Sequence, residues 1–155
     1  MSSRLIKFTL NGLSVSAEIE THHNLIEMLQ QFGLVGARES CGQGLCGCCT
    51  VYVDDAAVSG CLYLAVMADN KTVTTVEHLD ANGTLSPVQQ AFIDNGAFQC
   101  GFCTSGMIMM AHELLQRKPN PTDEEIRNHL IGNLCRCGTY PEVVAAIKQV
   151  ARQSL

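Results

Sequence analysis

A chain of 155 residues, 46% of them apolar, is long enough to bury about 68–70% of its unfolded surface, in one sizeable core or two small ones. Ten basic and 15 acidic residues give a formal charge of −5, and no Lys/Arg cluster appears, which excludes nucleic acid as an expected partner. No apolar run approaches the roughly 18 residues of a membrane span, and Met1–Thr9 alternates apolar and polar residues instead of forming the apolar stretch of a signal peptide. A cytoplasmic protein is expected.

The N-terminal half reads as strands. Ile6, Phe8 and Leu10 alternate with polar neighbours, as do Leu13, Val15, Ala17 and Ile19. Between the two runs lies Asn11-Gly12, a preferred two-residue hairpin turn. Asn24 is placed to cap a short helix carrying Leu25, Met28 and Leu29 and ending near Gly33. Thr50–Val53 and Thr72–Val76 are further expected strands. A polar, turn-rich stretch at Asp80-Ala81-Asn82-Gly83 marks the expected boundary between residues 1–80 and 81–155.

Beyond it the pattern is helical. Ser86-Pro87 with Gln89 forms a capping box with proline at the first helical position. A second helix is expected from about Thr104 to Gln116, with Met107, Met110, Ala111 and Leu114 at helical spacing. Thr122 and Glu125 form another capping box, opening a helix through Ile126 and Leu130. Pro141 begins a last helix bearing Val144, Ile147 and Val150.

Nine cysteines dominate the chemistry. With an odd count, a long chain and no export signal, metal or redox chemistry is the better reading than a disulfide framework. Cys41, Cys46, Cys49 and Cys61 follow C-x4-C-x2-C with eleven residues to the fourth, the plant-type [2Fe–2S] spacing. Three thiolates turned inward from one loop need positive-φ backbone and close approach, which Gly42, Gly44 and Gly47 supply. Their amides can also aim N–H groups at the sulfurs of a cluster whose net charge is about −2. Cys100, Cys103, Cys135 and Cys137 form C-x2-C, thirty-one residues, then C-x-C. Each pair sits beside an expected helix end, so two helix ends brought together make a four-thiolate site. Cys48 is read as a non-ligand pointing away from the cluster.

Two readings from other classes are a zinc-stabilised module and a thiol–disulfide oxidoreductase using Cys100-Gly101-Phe102-Cys103. Against the first stand the plant-type partners of Cys46 and Cys49 and the uncommon C-x-C step. Against the second stands the lack of a βαβ context. A Rieske centre needs two histidine ligands, and none of His22, His23, His78, His112 or His129 lies at ligand spacing from a cysteine pair.

ESCGQGLCGCCTV (Glu39–Val51), QCGFCTSGM (Gln99–Met107) and GNLCRCGTY (Gly132–Tyr140) resemble the iron–sulfur subunits of molybdenum hydroxylases, the xanthine dehydrogenase and aldehyde oxidase family, over nearly the whole chain. The resemblance implies an α+β protein: a β-grasp ferredoxin-like domain followed by an all-α four-helix bundle. It implies two [2Fe–2S] clusters that carry electrons from a molybdopterin cofactor in a large catalytic partner, with no substrate site on this chain. Gln99 and the backbone at Cys137 are implied to contact the pterin. Ser105 stands in place of a common proline, and Cys135-Arg-Cys-Gly-Thr-Tyr140, in place of the commoner CRCTGY, resembles the branch of isoquinoline, nicotinate and some aldehyde dehydrogenases. That resemblance implies an FAD subunit as the acceptor or, as in some members of the branch, a cytochrome.

Overall fold

The computed structural model describes residues 2–80 and 83–153. Met1 and two of the expected boundary residues, Ala81 and Asn82, lie outside the described residues. In chain order the elements are β1 (Ser3–Leu10), β2 (Leu13–Glu20), α1 (Leu25–Gln31), β3 (Thr50–Val53), β4 (Ala56–Ser59), β5 (Thr72–Thr74), α2 (Pro87–Asp94), α3 (Thr104–Arg117), α4 (Asp123–His129) and α5 (Tyr140–Gln153). Single 3-10 turns span Ala65–Ala68 and Val76–Leu79.

The strands form one mixed sheet in the order β2-β1-β5-β3-β4, with β1 parallel to β5 and the other neighbours antiparallel. The β1–β2 register is set by the expected turn: Leu10 faces Leu13, and Asn11 and Gly12 both adopt positive φ. That register puts Ile6, Phe8 and Leu10 on the same side as Ala17 and Ile19, all buried. Leu13, expected to follow the same alternation, is exposed because it sits at the hairpin tip. Helix α1 is capped reciprocally: Glu27 N–H donates to Asn24 Oδ1 at 2.9 Å, and Asn24 N–H donates to Glu27 Oε2 at 2.7 Å. It buries Leu25, Ile26, Met28 and Leu29 on the sheet, each worth about 1.5–3 kcal/mol.

The strand expected over Thr72–Val76 stops at Thr74. Asn11 ends it from the neighbouring turn, accepting from Thr75 N–H at 2.9 Å and donating through Nδ2 to Thr75 Oγ1 at 3.0 Å. Thr75 is thereby drawn out of the ladder, and the chain tightens into the turn at Val76. Strand β4 had no clear sequence signal.

The capping boxes at Ser86/Gln89 and Thr122/Glu125 are both formed. Helix α5 begins at Tyr140, one residue before Pro141, within the usual scatter of helix ends. Its Val143, Ala146, Ile147 and Val150 recur at helical spacing and meet Val88, Phe92, Met107, Ala111 and Ile126 in a second core, separate from that of the sheet.

Strand β3 joins the two cores. All four of its residues are buried. Val51 and Val53 face the sheet core, while the Tyr52 hydroxyl donates to the Met109 carbonyl of α3. The two halves are therefore in intimate contact, and this contact positions the cysteine loops against each other.

Candidate metal centres

The loop from Gly36 to Cys49 leaves α1 and enters β3 without regular structure. Its turns are made by Gly42, Gly44 and Gly47, all at φ between 61° and 69°, the left-handed region that other residues enter at a cost. The winding turns successive N–H groups inward. Gln43 N–H lies 3.4 Å from Cys41 Sγ. Backbone N–H groups of Gln43 and Leu45, together with the Cys46 side chain, hold the Cys41 thiol down to about 6. A loop that already favours a thiolate is suited to metal ligation.

The four thiols of this set lie close together, Cys41 beside Cys46 and Cys49 beside Cys61, with Cys46 also near Cys48 and Cys49. Cys49 is buried and its thiol is pushed up to about 11. Cys61 is brought back to the loop by the β3–β4 hairpin, with Gly60 N–H donating to the Cys49 carbonyl at 3.1 Å.

The second set has the same organisation. Cys100 and Cys103 occupy the turn into α3, and Cys135 and Cys137 occupy the loop between α4 and α5. Cys100 stands beside Cys137, and Cys103 beside Cys135. The N–H of Phe102 holds Cys100 below the usual thiol range, whereas burial pushes Cys103 up to about 12. At Cys135 burial works to raise the thiol, but the hydroxyl and N–H of Thr139 bring it down to about 7, the hydroxyl oxygen lying 3.1 Å from Sγ. The Gly-Thr-Tyr order has a structural basis here. Gly138 takes φ +82°, Thr139 reaches back to Cys135 Sγ, and the Tyr140 oxygen accepts from Cys135 N–H at 2.8 Å.

A mononuclear zinc wants four donors around one point. A binuclear cluster divides four thiolates between two irons, and each set offers four thiols. Cys48, expected from the spacing to be a non-ligand, also lies beside Cys46. Its buried thiol is pushed up to about 12 and its Sγ faces the Cys46 carbonyl at 4.0 Å.

A seam joins the two loops. Leu134 N–H donates to the Cys46 carbonyl at 2.9 Å, and Asn133 Nδ2 donates to the Gly47 carbonyl at 3.2 Å. Arg38 Nη1 donates to the Gly101 carbonyl at 3.1 Å. Gly106 packs so closely that a Cβ there would lie 1.9 Å from the Gly47 oxygen. Asn133, Gly106, Thr139 and Arg38 carry no signal in sequence spacing. Gln99, singled out from the resemblance, donates through Nε2 to the Cys137 carbonyl at 3.4 Å, so those two residues are neighbours.

The residues present fit two binuclear clusters. The family model described as "2Fe-2S iron-sulfur cluster binding domain" matches residues 8–86, and that described as "[2Fe-2S] binding domain" matches residues 75–148, so this is an iron–sulfur protein with two cluster-binding domains. The nicotinate dehydrogenase small FeS subunit of Eubacterium barkeri is 42% identical over 149 residues, covering 96% of this chain and 95% of its own. The nicotine 6-hydroxylase small subunit of Paenarthrobacter nicotinovorans is 43% identical over 143 residues, covering 92% of this chain and 86% of its own. A chain of quinoline 2-oxidoreductase from Pseudomonas putida 86 superposes with a TM-score of 0.89 at 36% identity, covering 97% of both chains. The chain belongs to the iron–sulfur subunits of the molybdenum hydroxylase family. Its function is electron transfer within an oxidoreductase complex.

Proposed function

We propose that residues 1–80 form a β-grasp ferredoxin-like domain and residues 81–155 a four-helix bundle, supported by the two separate cores. Cys41, Cys46, Cys49 and Cys61 hold one [2Fe–2S] cluster on the glycine-built loop of Gly42, Gly44 and Gly47. Cys100, Cys103, Cys135 and Cys137 hold the other. When bound, each cluster supplies one-electron redox chemistry. The chain's own residues do the rest: inward N–H groups favour the charged thiolates, and burial around Cys49 and Cys103 excludes water.

The direction of transfer follows the family resemblance, and the exposed apolar residues flanking the second set support that face as the docking surface. Phe98, Phe102, Ile131, Leu134 and Tyr140 are all exposed there, Ile131 to 80%. Exposed apolar side chains gathered near one site point to an interaction surface. This face docks the large molybdopterin-binding subunit, with Gln99 and the Cys137 backbone toward the pterin. Electrons enter through the second set and leave through the first to an FAD subunit or a cytochrome. No helix among the described residues is long and apolar enough to cross a membrane, and the complex is assigned to the cytoplasm. The relatives named for nicotinate, nicotine and quinoline support an N-heteroaromatic substrate for the partner.

Gln99→Ala tests the docking face. Loss of one hydrogen bond, about 0.5–1.5 kcal/mol, is expected to slow substrate-driven reduction of the clusters in the assembled complex by up to roughly tenfold. Iron content and reduction by dithionite, which bypasses the molybdenum site, should match wild type. Unchanged substrate-driven reduction would make Gln99 a plain surface residue.

A further inference from the structure

Arg38 belongs to the first cysteine loop but acts on the second. Its backbone N–H donates to the Cys48 carbonyl at 3.1 Å, which fixes the start of the side chain at the seam. From there the guanidinium crosses to the other half of the protein. It donates to the Gly101 carbonyl at 3.1 Å and lies over the Phe102 ring, 5.6 Å from its centroid, within the range of a cation–π contact. Two contacts on adjacent residues define its position, although the side chain is exposed.

The carbonyl it engages belongs to the planar trans peptide joining Gly101 to Phe102. In such a peptide C=O and N–H point in opposite senses. With the oxygen held outward by Arg38, the Phe102 N–H is directed the opposite way, with the Cys100 thiol two residues upstream in the same turn. Gly101, at φ +78°, makes that peptide orientation accessible. Bonding a cation to one end of a peptide strengthens the donor at its other end.

We infer that Arg38 is a positioning residue for the second cluster site, holding and polarising the Gly101–Phe102 peptide so that its N–H supports the Cys100 thiolate. The inference rests on the assignment of Cys100, Cys103, Cys135 and Cys137 to that cluster. Hydrogen bonds to the sulfurs and nearby charge set cluster potentials. A donor and a cation both favour the more negative, reduced state, so they raise the reduction potential. The first cluster site has its own donors in Gln43 and Leu45 and does not depend on this peptide.

The test is a redox titration of the purified complex, followed by electron paramagnetic resonance with the two cluster signals read separately. Arg38→Gln is expected to shift the second signal's oxidised-to-reduced ratio about threefold at fixed potential, a downward move of about 28 mV at 59 mV per decade for one electron. The first signal should stay in place. Arg38→Lys keeps the charge and a donor and should hold the second signal near its wild-type position. An unmoved second signal in Arg38→Gln, or an equal shift of both signals, overturns the inference. If Arg38→Gln fails to load the second cluster, Arg38→Lys decides: loading at the wild-type potential supports the role, and failure to load reduces Arg38 to a structural latch and overturns it. Cys103→Ala in parallel separates the two layers. Loss of the second signal upholds the ligand assignment whatever Arg38 does, whereas persistence of both signals sinks that assignment instead.

Discussion

Gly106→Ala is expected to be the most damaging small substitution in the seam. The added Cβ would sit 1.9 Å from the Gly47 carbonyl oxygen and 3.3 Å from Asn133 Nδ2. The obstacle is backbone, so no rotamer change relieves it. Either the start of α3 moves off the first cysteine loop or that loop unwinds. Overpacking of this kind costs about 3 kcal/mol or more. The shift would also stretch the bonds that Asn133 and Leu134 make to Gly47 and Cys46, so both sites would loosen together. A chemical-denaturation midpoint well below wild type, with faster loss of visible iron–sulfur absorbance on warming, would be the signature. Wild-type stability would mean that the halves are not packed through this contact.

The second large effect separates two neighbouring cysteines. Cys49→Ala removes a side chain paired with Cys61 and should lose the first cluster, leaving about two of about four irons per chain. Cys48→Ala removes a thiol that the plant-type spacing does not need, at a cost of about 1 kcal/mol for the small cavity, and should keep full iron. Thiol acidity does not discriminate between them. Burial raises Cys48, Cys49 and Cys103 alike, and a bound metal deprotonates whatever thiol it binds. Spacing discriminates, since C-x4-C-x2-C is complete without Cys48. If Cys48→Ala lost the iron and Cys49→Ala kept it, the ligand set would be displaced by one residue.

What the sequence made legible was local. Asn11-Gly12 announces its hairpin, and Ser86/Gln89 and Thr122/Glu125 announce their helices, because each signal lies within four residues. The cysteine spacings within each loop are local signals of the same kind. Strand β4 escaped because its turn, Asp54-Asp55, lacks the usual glycine although both residues take positive φ. Asp54 is held there by Lys71 Nζ at 2.6 Å and Thr72 N–H at 2.9 Å, partners more than fifteen residues away. The end of β5 at Thr75 was hidden for the same reason, since Asn11 is 64 residues distant.

The seam is the extreme case. Asn133 to Gly47 spans 86 residues and Arg38 to Gly101 spans 63. An asparagine after a helix and an arginine in a loop look alike wherever they occur. Only the folded arrangement shows that they bring one cysteine loop against the other.

Metal and sulfide analysis of the purified complex, with electron paramagnetic resonance after dithionite reduction, tests the two-cluster assignment most directly. Two [2Fe–2S] domains predict about four iron and about four acid-labile sulfide per copy of this chain, with two distinguishable paramagnetic signals. Stoichiometric zinc in a colourless protein, or a single signal with about two irons per chain, would contradict it.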